Sequence, residues 1–586
     1  MQKAKVTLSL TAVALSSCAG FTLQDKYVEA RLLPGQGYTV ISNTQRIEKG
    51  QDASFKILTN PENHILSLDY PYYEIAPTKG GYYITLLGVQ DSVSVSVKIQ
   101  SQHVRLHRGD GTFLQSDEEA LLYPQFRTRM RENAPSGLNL LHKEGHLQIG
   151  WHEKDKDNFI GFGWRYSPSI QDLYPVFVPY TDSASFDYVV EGESIVITAA
   201  HSNEETIVIP AEINGKTVTK IETEAIVSNQ IKHLILPPNP IQFAVSAVLS
   251  DSLEKITLFD SVAGIDDICL QTPNLKTLEI LAHEMPMYSG TYWDVFQDKI
   301  DYLESIKDKK KIILFSGSSG RYGYDSTLIH AALPDYEVVN MGVFAYIGAL
   351  EQLDVIKPYC QSGDILLHTP EFDAVEEQFC ARNNIYDRFF NCLESGYQEF
   401  ANIDLRNYKE VFTPFTKYLA ARTPVSGDGY RTNPRFYDDD NRFYYTPTYN
   451  VQGDMILKRE PTQQSGRIYQ RELTYQKEYL FDNNVFDLVG CLNSVYKQWQ
   501  DLGVNVFFSY APKNIDCLEQ GSTKEKREEL HRYLKSSLCV PVLEDIEDSF
   551  YPAYNFYLID NHLTNEGAKL RTEKTIAALK KQLQYK

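Results

Sequence analysis

The hydrophobic pattern of the chain changes several times, and each change predicts a different architecture. Over residues 36–100 apolar positions alternate with polar ones or are β-branched, as in Ala53-Ser54-Phe55-Lys56-Ile57, Tyr82-Tyr83-Ile84-Thr85-Leu86 and Val93-Ser94-Val95-Ser96-Val97. A period of two puts alternate side chains on one face, so these runs predict strands. Turn signals at Lys49-Gly50, Asn60-Pro61 and Gly80-Gly81 separate them, and a small β-sandwich is expected. A second β module is expected over 101–182. From residue 286 to 586 short apolar strands alternate with helical patterns. Strands are expected at Lys311–Ser316, Glu337–Asn340 and Asp364–His368, with helices at Asp325–Leu333 and Gly348–Tyr359. The alternation resumes with a helix over Asp482–Leu502 and a strand over Val504–Tyr510. Ser522-x-x-Glu525 then reads as a capping box opening a helix. A last strand, Val540–Leu543, precedes a helix from Thr564 to about Gln582. Such alternation predicts a three-layer, doubly wound α/β domain of flavodoxin-like type. Residues 373–480 interrupt it as an insertion rich in Tyr, Asp and Asn. Its run Asp438-Asp439-Asp440 reads as a solvated loop without EF-hand spacing.

Residues 183–285 carry an internal repeat. Ile231, Leu234 and Leu236 recur as Leu253, Ile256 and Leu258, then as Leu275, Leu278 and Ile280, each step being 22 residues. The preceding turns keep the register through Ile221/Phe243/Ile265, Ala225/Ala247/Cys269 and Ile226/Val248/Leu270. One strand and one returning turn per period predict a leucine-rich repeat solenoid, because a lone repeat cannot bury its apolar face. The entry segment runs from Phe186-Asp187-Tyr188 through Ile207-Val208-Ile209-Pro210 to Gly215-Lys216-Thr217-Val218-Thr219-Lys220-Ile221. It resembles the BspA-type leucine-rich repeat, which implies surface adhesion through a protein ligand, or a spacer. Upstream, Gly145-His146-Leu147-Gln148-Ile149-Gly150-Trp151, Gly161-Phe162-Gly163 and Asp172-Leu173-Tyr174-Pro175 together resemble the internalin-type B-repeat. Trp151 is expected in its core.

The N-terminal residues bear on compartment. Two lysines in Gln2-Lys3-Ala4-Lys5 precede an apolar run from Val6 to Leu15, too short to span a bilayer but suited to a secretory signal. Leu15-Ser16-Ser17-Cys18 resembles the lipobox of bacterial lipoproteins. That resemblance implies a signal peptide over 1–17, acylation at Cys18, a tether over 18–35 and a lipid-anchored extracytoplasmic protein on the bacterial surface. With 57 basic and 77 acidic residues the 586-residue chain carries a formal charge of −20. It therefore lacks the clustered cations that a nucleic-acid partner or an anionic lipid surface demands. Seven cysteines remain after Cys18, with no Cys-x-x-Cys pair, so no metal or other cofactor is expected. Cys380 and Cys392 could bridge, although scattered cysteines are more often buried free thiols.

In doubly wound sheets ligands sit beyond the carboxyl ends of the strands. Those ends carry Ser316-Gly317-Ser318-Ser319-Gly320, Asn340-Met341-Gly342 and His368-Thr369-Pro370-Glu371, while Asp560-Asn561-His562 precedes the last helix. A serine needs a base to act as nucleophile at neutral pH, and a histidine held by a carboxylate is the usual one. The order Ser…Asp-x-His on a parallel sheet resembles the SGNH (GDSL-like) hydrolase superfamily over residues 300–586. The resemblance implies Ser319 as nucleophile, His562 as base and Asp560 as its orienting partner. It also implies an oxyanion site formed by the Ser319 N–H with one from Gly342–Ala345. Three positions depart from the pattern. Ser318 replaces an Asp, Asp560 stands two rather than three residues before His562, and Glu371 occupies the place of an Asn that donates to the oxyanion. An ionised carboxylate there repels the developing charge.

Two functions follow as expectations. One is a serine esterase or acyltransferase acting on acylated carbohydrate or a cell-envelope polymer. The other is a non-catalytic adhesin or scaffold that uses the repeats and β modules, with a degenerate hydrolase domain.

Overall fold

The computed structural model describes residues 26–584 apart from 61–62, 71, 79, 102–103, 115–116, 123–140, 163–171, 262–264, 283–292, 294, 344–347, 372–385, 395, 404–407, 422–434, 438–442, 446–448 and 463–487. The protein is multidomain and strand-rich, with many small sheets and several helices. Cys18, Ala345 and Cys380 lie outside the described residues. Among those described, no helix is long and apolar enough to cross a membrane.

The first β module begins earlier than expected. Tyr27–Leu32, within the stretch read as a tether, is a strand that pairs antiparallel with Thr44–Glu48 and parallel with Val93–Val95. Its alternation buries Val28, Ala30 and Leu32, and that burial holds it in the module. A second sheet packs Ala53–Thr59 between Tyr38–Val40 and Gly81–Leu86.

The 22-residue period becomes a register. His233↔Lys255↔Thr277 and Leu234↔Ile256↔Leu278 pair across one parallel sheet, and Ile226↔Val248↔Leu270 across another. The first rung, Thr206–Val208, joins the larger sheet with a longer step, Ile207 pairing Leu234. Because successive strand residues point to opposite faces, Ile235, Thr257, Phe259 and Leu281 face away from the Leu234/Ile256/Leu278 row. All four are buried. The neighbouring module reaches two of them: a Cβ at Gly161 would lie 3.5 Å from the Leu281 side chain, the Phe162 ring lies 6.0 Å from that of Phe259, and Trp151 meets Phe162 edge-on at 6.3 Å. Trp151 is itself buried.

In the C-terminal region four parallel strands run in the order Glu337–Asn340, Lys311–Phe315, Ile365–His368, Asn505–Phe508. The expected fifth strand is reduced to a single parallel bridge, Phe508↔Val542. Both faces are covered, as continuous apolar strands require. Ile312, Leu314 and Leu367 pack against Ile329 of helix Ser326–Ala332 and Leu579 of helix Asn565–Gln582. On the other side, Ile313, Phe315 and Leu366 share a core with Phe296, Leu353 and Leu492. They belong to helices Val295–Ser305, Ala349–Ile356 and Leu488–Asp501. Helix Lys524–Ser537 is capped by the Thr523 side chain, which accepts from the Lys526 N–H. The capping box at Ser522 is therefore not formed, because helix entry falls one residue later.

The insertion has a structural job far from the strand ends. Helix Phe412–Ala421 lies against the end of the repeats, where the Thr413 hydroxyl donates to Asp267 at 2.7 Å and the Thr416 hydroxyl to the Ile265 carbonyl. Cysteine pairing follows the free-thiol expectation at five positions and departs from it at one. Cys269, Cys360, Cys392, Cys517 and Cys539 form no disulfide, so Cys392 does not bridge to Cys380. Cys491 is disulfide-bonded, and its partner lies outside the described residues.

Candidate functional site

Strand Lys311–Phe315 ends in Ser316, and Gly317 caps a single helical turn, Ser318–Arg321. The turn is tight. A Cβ at Gly317 would lie 2.8 Å from Glu371 Oε1, and one at Gly320 would lie 2.6 Å from the Ser316 Cβ, so neither position accepts a side chain without displacement.

The two serines of this turn point to different surroundings. Ser318 is half-buried, and its Oγ lies 2.8 Å from His562 Nε2. Ser319 is fully buried. Its Oγ pairs with Ser316 Oγ at 3.0 Å, and Ser316 in turn donates to the Thr369 carbonyl at 2.8 Å. His562 therefore meets Ser318 rather than Ser319. The reason is the phase of the turn: the first helical residue projects toward the strand ends, and the second projects back into the sheet.

His562 lies on the loop before helix Asn565–Gln582, whose cap is Thr564. Its ring stacks on Tyr322 at 4.0 Å, and the Arg321 and Arg459 guanidiniums lie 4.6 and 5.6 Å from the centre of the same Tyr322 ring. Burial, then the two arginines, holds the imidazole well below the usual histidine range. The ring is thus neutral at pH 7, and Nε2 accepts the Ser318 proton when Nδ1 carries the ring hydrogen. Nδ1 is buried and has no hydrogen-bond partner among the described residues. Asp560 is also buried, but it does not bond that nitrogen; its backbone carbonyl accepts from the Asn514 N–H at 2.8 Å. The pair Ser318–His562 is present without the orienting carboxylate expected at Asp560.

The expected oxyanion donors are engaged internally. The Ser319 N–H donates to Glu371 Oε1 at 2.6 Å, and the Gly342 N–H donates to Asn340 Oδ1 at 3.0 Å. Asn340 also donates to the Gly320 carbonyl at 3.0 Å and to Asp454 at 2.9 Å. The Gly342 carbonyl accepts from the buried Lys299 ammonium at 2.5 Å. Burial lowers that ammonium well below the ordinary lysine range, and the nearby Arg321 adds to the effect. Asp454 and Arg459 have no motif around them in the sequence. Both come from the insertion, and nothing local announces their approach to the turn.

No family model matches the chain, and no curated protein matches it. Among solved structures the chain is similar to a leucine rich repeat protein of T. pallidum, at 20% sequence identity and a TM-score of 0.11. The match covers 13% of this chain and 42% of that protein, less than half of its length.

Proposed function

We propose that the protein is a lipid-anchored, extracytoplasmic serine esterase or acyltransferase of SGNH type, with Ser318 as nucleophile and His562 as base. The substrate is an acylated carbohydrate or cell-envelope polymer. The observation that carries the proposal is the 2.8 Å contact between Ser318 Oγ and the neutral His562 Nε2 beyond the first strand. The disulfide at Cys491 supports an oxidising, extracytoplasmic compartment. The strand order supports the fold: the central strand leads and two further strands follow on one side, as in flavodoxin-like sheets. The 22-residue register supports reading 183–285 as leucine-rich repeats.

In the proposed reaction Ser318 Oγ attacks the ester carbonyl carbon while Nε2 of His562 takes the hydroxyl proton. The bond to the sugar oxygen then breaks, and His562 returns the proton to that leaving oxygen. Water, or an acceptor hydroxyl, attacks the acyl-serine with its proton going to His562, which releases the acid or the transferred ester and restores Ser318. The oxyanion needs N–H donors at its position, so Glu371 must release the Ser319 N–H, or be displaced by substrate, before the site is complete.

The test is fluorophosphonate labelling and ester hydrolysis by Ser318→Ala and Ser319→Ala. Ser318→Ala is expected to abolish both, a loss of about 1,000-fold or more, while Ser319→Ala keeps labelling. Retained labelling in Ser318→Ala removes the proposed nucleophile. The second reading, an adhesin or scaffold with a degenerate domain, is favoured by Glu371 on the Ser319 N–H and by the unpartnered Nδ1 of His562. Wild-type protein that neither labels nor hydrolyses any acyl ester would select it.

A further inference from the structure

Two buried charges of the insertion converge on the Ser318–His562 pair from one short return segment, residues 449–460. Asp454 accepts from the Ser326 N–H at 2.7 Å, the Ser326 hydroxyl at 2.8 Å and the Asn340 amide at 2.9 Å. It thereby ties the helix after the seryl turn to the end of the neighbouring strand. Arg459 makes the complementary connection. Its Nε donates to the Leu563 carbonyl at 2.9 Å, Nη1 to the Met455 carbonyl at 2.5 Å and Nη2 more weakly to the Tyr322 carbonyl at 3.4 Å. Leu563 follows His562 directly, and Tyr322 closes the turn that begins at Ser318. One rigid guanidinium thus bridges the backbone of the base and that of the nucleophile, which a flexible ammonium with a single head cannot reproduce. The Arg459 N–H also donates to Asn565 at 2.6 Å, in the first turn of the helix that follows His562.

We infer that Arg459, supplied by the insertion, is the positioning residue that holds the His562 ring against Ser318. The inference rests on the proposal that Ser318 and His562 are nucleophile and base. The bridge is 4% exposed, so the three carbonyls have no water to turn to when it is removed. Its charge has a second effect, because a cation beside the ring opposes protonation of His562. The ring meets Ser318 and Tyr322 from the turn, and the cations acting on it are Arg321, also of the turn, and Arg459 of the return segment. Glu371 reaches the same turn from the strand Ile365–His368. Removing Arg459 leaves the Arg321 cation in place, so a partial shift is expected.

The experiment compares full-length wild type with Arg459→Lys and Arg459→Met, following fluorophosphonate labelling against pH and folded fraction by circular dichroism. Arg459→Lys keeps the charge but loses the fork, so labelling should fall about tenfold or more with the acid midpoint unmoved. Arg459→Met should fall as well and move the acid limb upward, because His562 then takes a proton more readily. Full activity in Arg459→Lys, or losses that follow the folded fraction with no shift in Arg459→Met, overturns the inference. Arg459→Gln serves if the methionine variant does not fold. If wild type does not label at all, the enzymatic proposal has failed. The crystal structure of Arg459→Lys then decides: a His562 ring displaced from Ser318 sustains the bridge, and a ring still at 2.8 Å from Ser318 Oγ removes it.

Discussion

The repeats and the α/β domain are both built on parallel strands, yet they use their surfaces in opposite ways. In the repeats the outward positions Ile235, Thr257, Phe259 and Leu281 are buried, with Phe162 of the adjoining module over Phe259. Beside that contact runs a polar ladder: His233 to Thr257 at 2.7 Å, Thr257 to Glu279 at 2.6 Å and Lys255 to Glu279 at 3.0 Å. Each rung speaks to the next. In the α/β domain the apolar faces are sealed by helices, and the strand ends gather polar groups from distant parts of the chain. The contrast teaches that this sheet face of the repeats is a packing surface, whereas the strand ends are where a ligand has reason to bind. An adhesive role would have to use another face of the repeats.

The largest effect that tests the contrast is Phe259→Ala. If the repeat face is a true core, truncating a fully buried phenylalanine should cost about 3–5 kcal/mol, read as a lowered denaturant midpoint. A cost below about 1 kcal/mol would mean that the face is only loosely covered, and the distinction between the two regions would fail.

On the other side of the comparison, Glu371→Asn removes the carboxylate from the Ser319 N–H and supplies an amide donor. A regained oxyanion donor should raise labelling and ester hydrolysis by about tenfold to a hundredfold. Unchanged rates would show that Glu371 does not limit the site, and a complete loss would make it a participant.

How much of this was legible in the sequence differs between the two regions for the same physical reason. Repeat contacts are made between residues 22 apart, so Leu234, Ile256 and Leu278 announce their own register. Most strands and helices of the α/β domain were legible too, through local periodicity, although helix Val295–Ser305 carried no expectation, Val540–Leu543 reduced to one bridge and the cap moved from Ser522 to Thr523. The His562 position was legible from its place before the last helix. Choosing between Ser318 and Ser319 was not, because adjacent serines in Gly-Ser-Ser-Gly differ only in the phase of a turn. Nor was the absence of an Asp560 bond to Nδ1, since side-chain direction on a loop has no period. Arg459 lies more than 100 residues from both backbones that it bridges, and no local pattern can encode that meeting.

Acidity should separate, in sign, the insertion turn that borders the repeats from the strand ends. Glu399, on the turn Tyr397–Asn402 beside the last rung, accepts from Tyr359 at 2.8 Å and Asn402 at 2.9 Å, and burial pushes its carboxyl up from 4.5 to about 7. Between those values the native form keeps a proton that the unfolded chain has lost. Its contribution is therefore full below pH 4.5 and is lost as pH rises through 7. His562 works the other way. Its folded value lies far below 6.5, so stability is full above pH 6.5 and falls below it, where only the unfolded chain takes the proton. Hydrogen exchange, corrected for the intrinsic rate, should show the Glu399 turn loosening as pH rises from 5 to 7 and the His562 loop loosening as pH falls from 7 to 5. Movement of both in one direction would contradict the assignment.

The smallest expected effect concerns what does not hold the repeats together. Lys276 and Glu254, on successive rungs, form an ion pair at 3.3 Å with both side chains more than half exposed. The same rungs are joined by backbone bonds from the Lys276 and Thr277 N–H groups to the Glu254 carbonyl at 2.8 and 3.0 Å, and by the buried Ile256–Leu278 row. Exposed pairs contribute between nothing and about 1 kcal/mol and weaken with salt. Lys276→Ala should therefore lower the unfolding midpoint slightly at low ionic strength and not at all in about 1 M salt, where charges are screened beyond some 3 Å. A larger loss that persists in salt would mean that the lysine stem packs on the neighbouring rung. The repeats would then share with the strand ends a dependence on charged side chains.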